Sequence, residues 1–244
     1  MRNIRLTISY DGTDYAGWQF QKNAGTIQEA IQRALKKITG EKTNLIASGR
    51  TDAGVHAEAQ IANFRTHSGI PLGKLQMALN SALPKDIVIT AAAEAPARFN
   101  AQHDARSKLY RYTIYNGDFI DPFMRRYAAR VFYKLNINSM KKAARLLEGR
   151  HDFRSFQTID GEEKDSVRRI YRVKVEKTAN IVYIYMKADG FLYNMARNIA
   201  GILVEAGRGK IRPSDVRQIL SKKDRRHCGP TMPAKGLCLI KVSY

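Results

Sequence analysis

The sequence predicts an α+β fold built from two similar halves, each a sheet covered on one face by helices. Up to about Asn100 the patterning runs strand, helix, strand, strand, helix, strand. From Lys108 to Tyr244 a similar order returns with insertions. Apolar residues fill 44% of the 244 positions and charged residues 26%, an ordinary globular composition with enough chain for one large domain or two sharing a core.

The elements follow in order. Apolar and polar residues alternate, as strands require, in Ile4–Tyr10, Ala59–Thr66, Lys108–Asn116, Ser166–Lys177 and Ile181–Ala188. Helical spacing marks Thr26–Thr39, Leu72–Ala82, Ser139–Glu148, Phe191–Ala206 and Pro213–Ser221. Thr26 with Glu29 fits a capping box, and Pro213 stands where a first helical turn tolerates it. The weakest point in the pattern lies near Gln102–Arg106, which divides the chain into halves 1–104 and 105–244.

Charge narrows the function. Forty-two Lys and Arg against 22 Asp and Glu give a formal net charge of +20. An excess that large repels itself and attracts polyanions, and nucleic acid is the expected partner. Membrane-surface binding would call for a lipidation motif or a basic amphipathic helix, and neither is visible. No apolar run approaches the ~20 residues that span a bilayer, and the N-terminus reads as a strand, not a signal peptide. A cytoplasmic location is the expectation. Two cysteines, Cys228 and Cys238, and five scattered histidines offer no metal framework. There is no GxxxxGK[ST] loop, no G-x-G-x-x-G after a strand and no GxSxG elbow, so no cofactor is expected.

Four segments could carry chemistry. The first is the loop from Ser48 to Ala57, SGRTDAGVHA. A plain turn explains an isolated Asp-x-Gly. This loop, however, is crowded with hydrogen-bonding groups and sets the Asp52 carboxylate in a strongly cationic chain, where Arg50 and other arginines would keep it ionised. The second is the helix FLYNMARNIAGILVEA, apolar around most of its girth, with Arg197 in its middle. That guanidinium either snorkels to the surface or reaches an anion, and Asp52 is a leading candidate. The third is the strand KLYRYTIY, which alternation turns so that Tyr110 and Tyr112 share one face and Arg111 the other. It reads either as a tyrosine-lined core face or as a surface that stacks a base. The fourth is the loop DGTDYAGWQFQK, holding the only tryptophan, Trp18, which could grip RNA or plug the core.

Together the segments YDGTDYAGWQFQ, TIQEAI, SGRTDAGVHA, RSKLYRYTIYN, HDFRSF, DGFLYNMARNIAG and GPTMPAKGLCL resemble the TruA family of tRNA pseudouridine synthases over nearly the whole chain. The resemblance implies a fold of two α+β halves, derived from ferredoxin-like units, sharing one mostly antiparallel central sheet with a basic cleft. It implies an isomerase of uridines 38, 39 and 40 in the tRNA anticodon stem-loop, acting as a homodimer without cofactor. It also implies site residues: Asp52 as the essential aspartate, Arg197 as the arginine paired with it, Tyr110 packing on the target base, and Arg50 positioning or extruding the nucleotide. Ala196, where a bulkier aliphatic is common, and Cys228 and Met232 are slight departures that touch none of these.

Overall fold

The computed structural model describes residues 1–158 and 165–244. In chain order its elements are β1 (Arg2–Tyr10), α1 (Ile27–Thr39), β2 (Ile46–Ala47), β3 (His56–Thr66), α2 (Leu72–Ala82), β4 (Ile87–Ala95), β5 (Ser107–Tyr115), β6 (Ala129–Arg130), α3 (Ile137–Arg145), β7 (Gly149–Asp152), β8 (Val167–Thr178), β9 (Ile181–Ala188), α4 (Met195–Gly207), α5 (Asp215–Lys222) and β10 (Leu237–Ser243), with short 3-10 turns between them. They gather into two units, residues 1–106 with 239–244 and residues 107–238. No helix of the described residues is long and apolar enough to cross a membrane.

In the first unit β1 lies between β3 and β4 and runs antiparallel to both. Its alternation buries Ile4, Leu6, Ile8 and Tyr10 while Arg5 stays exposed. The helices α1 and α2 pack on each other, and α2 packs on β4. The α1 helix buries Ile27, Ile31, Ala34 and Leu35 on one stripe. Its start is the one the sequence predicts, since Thr26 Oγ1 accepts a hydrogen bond from Glu29 N at 3.3 Å.

In the second unit β9 pairs antiparallel with β5 and β8, β8 pairs antiparallel with β7, and β6 runs parallel to its partner, β5. Val182, Ile184, Met186 and Ala188 of β9 are fully buried, as strict alternation requires. The α3 and α4 helices pack together, α3 against β8 and α4 against β5. Both units are thus α+β with largely antiparallel pairing, the class the sequence predicts.

Three helix starts differ from the periodicity, each for a local reason. Two concern α3 and α5. The α3 helix begins earlier than Ser139 because Asn136 caps it, its Oδ1 accepting from Ser139 N at 3.0 Å. The α5 helix begins at Asp215, and Pro213 stands in the lead-in turn, its carbonyl accepting from Val216 N at 3.3 Å. The third correction matters for function. Leu192 is buried like a helical core residue, but Asn194 has φ +60°, so the chain turns before α4 begins at Met195. Arg197 consequently sits in the first turn of α4, not in mid-helix.

The α4 helix is mostly apolar, and a buried polar side chain on it clamps the segment after α5. Asn198 is fully buried, and every polar group of its amide has a partner. Its Nδ2 donates to Phe156 O at 2.7 Å, while its Oδ1 accepts from Arg225 Nη2 at 3.0 Å and Thr231 Oγ1 at 2.6 Å. Arg225 also donates to the carbonyls of Cys228 and Gly229, at 2.8 and 3.0 Å. One turn along, a Cβ at Gly201 would stand 1.9 Å from Pro230 O, so the segment can lie on the helix only where the side chain is missing. Gly201→Ala should therefore cost about 1–3 kcal/mol of stability, read as a lower midpoint in equilibrium urea unfolding with an unchanged slope.

Candidate active site

The Asp52 loop is held from both sides inside the first unit. Ser48, buried, is fixed in the sheet by donating from N to Ile61 O at 2.8 Å and from Oγ to Gln60 Oε1 at 2.6 Å. Gln60, itself fully buried, returns a bond from Nε2 to Gly49 O at 2.9 Å. The turn is closed by main chain, Val55 N donating to Asp52 O at 3.1 Å. Asp52 is half-buried and Arg50 exposed.

The second support is the loop that follows β1. Trp18 N donates to Thr51 O at 3.0 Å, and Gly54 N donates to Tyr15 O at 3.3 Å. Tyr10 OH and Thr51 Oγ1 lie 2.8 Å apart. Such backbone-to-backbone packing leaves no room for side chains. A Cβ at Gly12 would come within 2.0 Å of Val55 O, and one at Gly17, where φ is +92°, within 2.6 Å of Thr51 O. His56 Nδ1 stands 3.1 Å from both Gly12 N and Asp11 Oδ1. Nδ1 accepts from Gly12 N when it carries no hydrogen and donates to Asp11 Oδ1 when it does. Trp18 is 1% exposed, with its ring centroid 6.1 Å from that of Tyr10. Trp18 therefore plugs the core.

In the second unit Tyr110 and Tyr112 do share a face of β5, opposite Met186 and Ile184 of β9. Both are buried, and Tyr110 meets Phe191 edge-on with centroids 5.0 Å apart. Tyr112 OH donates to Pro233 O at 2.7 Å, and burial pushes its phenol far above the ordinary value against the opposing field of Arg197. Arg197 donates from Nε to Met232 O at 2.7 Å and from Nη1 to Asn194 Oδ1 at 2.6 Å. Asn194 in turn donates from Nδ2 to Thr158 Oγ1 at 3.0 Å. A guanidinium in the first turn of a helix opposes the helix dipole, so its place there is not explained by helix stability. Phe191 leads into the turn that begins α4, and Tyr110 and Arg197 therefore flank one connection.

The comparisons with known proteins agree with this arrangement of motifs. A family model described as tRNA pseudouridine synthase matches residues 6–104 and 143–244. A tRNA pseudouridine synthase A of Thermoanaerobacter sp. (strain X514) is 48% identical over 244 residues, covering 100% of both chains. The chain belongs to the tRNA pseudouridine synthase A (TruA) family. Another relative of that description, from Caldicellulosiruptor bescii, is 49% identical over 244 residues, again covering 100% of both chains. A tRNA pseudouridine synthase A 2 from Clostridium perfringens is 46% identical over the same length. Pseudouridine synthases are isomerases, and the matched stretches of the family model contain Arg50, Asp52 and Arg197, while Tyr110 lies between them.

Within this synthase fold several residues matter that the linear pattern did not single out. Asn194 and the Met232 carbonyl orient Arg197, and Gly12 and Gly17 admit the backbone that pins the Asp52 loop. Lys108, two residues before Tyr110 on the same strand face, is held below the ordinary lysine value, first by burial and then by Arg168. A polar Asn198 inside an apolar helix was the one available signal for the clamp. Gly17→Ala should cost on the order of 2–4 kcal/mol, from the positive φ and the clash together. Hydrogen exchange should then speed up at the Trp18 amide more than at the amides of β8.

Proposed function

We propose that this chain isomerises uridine to pseudouridine at positions 38, 39 and 40 of the anticodon stem-loop of tRNA, with Asp52 as the catalytic carboxylate. The observation that carries the reading is the Asp52 loop itself. It presents a half-buried carboxylate on a turn closed by main chain and pinned on both flanks, in a member of a family whose relatives are named for this reaction.

The reaction breaks the bond from C1′ to N1 of uridine and forms one from C1′ to C5. The C5 proton is lost, N1 ends protonated, and nothing else is consumed. A stacked uridine must first leave its helix, at a cost of a few kcal/mol. Asp52 can then serve in either of two ways, attacking C1′ as a nucleophile or removing the C2′ proton to give a glycal. A primary isotope effect from deuterium at C2′ separates the two. Tyr110 packs on the freed uracil and keeps it from escaping, and Arg50 positions or extrudes the nucleotide. Arg197 supports the ionised carboxylate. Support for that role lies in its first-turn position, which helix stability disfavours, and in the two acceptors that fix its orientation. The protein works as a homodimer in the cytoplasm, one copy gripping the tRNA body while the other receives the anticodon arm.

The deciding experiment maps pseudouridine base by base in unmodified tRNA for wild type and Asp52→Asn, with tRNA binding measured for both. Modification at 38 to 40 by wild type, and none by a mutant that binds equally well, is the expected result. Binding without modification by either protein would leave a non-catalytic RNA-binding protein. Arg197→Ala should lower the single-turnover rate by at least about tenfold, within the usual range for a group acting in the transition state, while tRNA affinity changes less. A single-turnover rate close to wild type would remove Arg197 from the mechanism.

A further inference from the structure

We propose that the cavity between α3, β7 and α5 in the second unit is a phosphate-binding site that takes a backbone phosphodiester of RNA; the proposal rests on the tRNA reading above. The cavity measures about 590 Å³, open to solvent. Four cations line it, Arg145, Arg150, Arg217 and Lys223, together with the carboxylates of Glu148 and Asp152.

Both carboxylates are already engaged. Glu148 Oε1 accepts from Val173 N at 3.0 Å and lies 3.7 Å from Arg172 Nε. Asp152 Oδ1 accepts from Ser166 Oγ at 2.6 Å and Arg154 N at 3.0 Å, while Oδ2 stands 3.3 Å from Lys223 Nζ. Burial opposes ionisation of Asp152, but those bonds outweigh it and hold the carboxyl below its ordinary range. Lys223 is thereby paired. The side chains of Arg145, Arg150 and Arg217 are exposed and make no ion pair or hydrogen bond among the described residues.

Three guanidinium groups from three different elements thus line one concavity whose two acids are engaged by other groups. Their mutual repulsion is relieved by an anion. Helix dipoles account for only one of them. Arg145 stands in the last turn of α3, where a cation is favoured. Arg150 is on a strand, and Arg217 lies in the first turn of α5, where a cation is disfavoured. Phosphate suits a guanidinium fork, since its oxygens accept two parallel bonds. A second copy of a chain carrying +20 brings the wrong charge, and a polyanion brings the right one repeatedly.

The test compares the triple variant Arg145→Ala, Arg150→Ala, Arg217→Ala with a control of equal charge loss on α1 and the loop after it, Lys36→Ala, Lys37→Ala, Lys42→Ala. The affinity of each for unmodified tRNA is measured across salt concentrations, and pseudouridine formation by wild type is measured in parallel. Loss of about three phosphate contacts should flatten the slope of log K against log salt by about 2–3, with the control flattened by less than about one. Equal slopes for the two triples would overturn the proposal. A second arm adds inorganic pyrophosphate and follows thermal unfolding. Stabilisation of wild type but not of the cavity variant, with tRNA slopes unaltered, would assign the site to a small free phosphate compound and overturn the RNA assignment. Absence of pseudouridine from the wild-type reaction would sink the isomerase reading separately, because the slope comparison needs only tRNA binding.

Discussion

Under the proposed mechanism the Asp52 carboxylate has to be held within about half an ångström of its working position. A surface loop attains that rigidity only when its backbone packs on another backbone. The first unit meets this constraint by laying the segment after β1 directly on the Asp52 loop, with Trp18 N on Thr51 O and Gly54 N on Tyr15 O. The two glycines that allow the approach have little tolerance for change, since a methyl group at either would overlap a carbonyl oxygen. The same segment is then tied onward. Trp18 enters the core, and Ile27 N donates to Gly17 O, so the end of β1, the start of α1 and the Asp52 loop are fixed by one set of contacts. Disturbing any one of them moves the others.

The second unit reaches rigidity through buried polar groups instead of bare backbone. Arg225, Asn198 and Thr231 form a network in which every bond ends on a fixed partner, so burial of these groups incurs no unsatisfied polarity. Its effect is to hold the segment from Cys228 to Met232 against α4, and Met232 is the residue whose carbonyl receives Arg197 Nε. Asn194 pays for its left-handed backbone with about 1–2 kcal/mol, the ordinary penalty for a side chain in that region. That strain is offset by the bonds its amide makes to Arg197 and Thr158, a pattern found where orientation matters more than local stability. Tyr112 closes the same segment from the sheet side through its bond to Pro233 O.

How much of this was legible in the sequence depended on whether the cause was local. The Thr26 cap, the alternation of β1 and β9 and the shared face of Tyr110 and Tyr112 follow from neighbours along the chain, and they stand where the pattern put them. The start of α4 was misplaced because Leu192 continues the helical apolar spacing, while the left-handed turn at Asn194 leaves no mark in hydrophobicity. Trp18 was ambiguous because a loop tryptophan can face either way, and only its neighbours in space decide. Gly12 and Gly17 were visible as glycines, but their contacts with Val55 and Thr51 span some forty positions, and no periodicity reports such a separation. Arg197 drew notice as a charge in an apolar stretch, but its bonds to a side-chain amide and a main-chain carbonyl depend on the turn at Asn194 and on a segment some thirty-five positions away, which no local pattern reports.

The arginines also divide by what they answer. Arg225, partly buried, donates to carbonyl, amide and hydroxyl oxygens and works as a multi-toothed brace. Arg2, Arg208 and Arg212 meet acids close at hand, Glu94, Glu205 and Asp215. With 42 cations and 22 carboxylates, the exposed surplus cannot all be met by acids of this chain. Folding brings that surplus together and works against itself, whereas a polyanion releases counterions and gains from the same surplus. Added salt therefore acts with opposite sign on the two processes. It screens self-repulsion and favours the folded chain, and it weakens the hold on RNA. A protein built this way has its charge set by the partner, with the glycine-mediated backbone contacts and the Arg225 brace supplying the rigidity that so many like charges would otherwise erode.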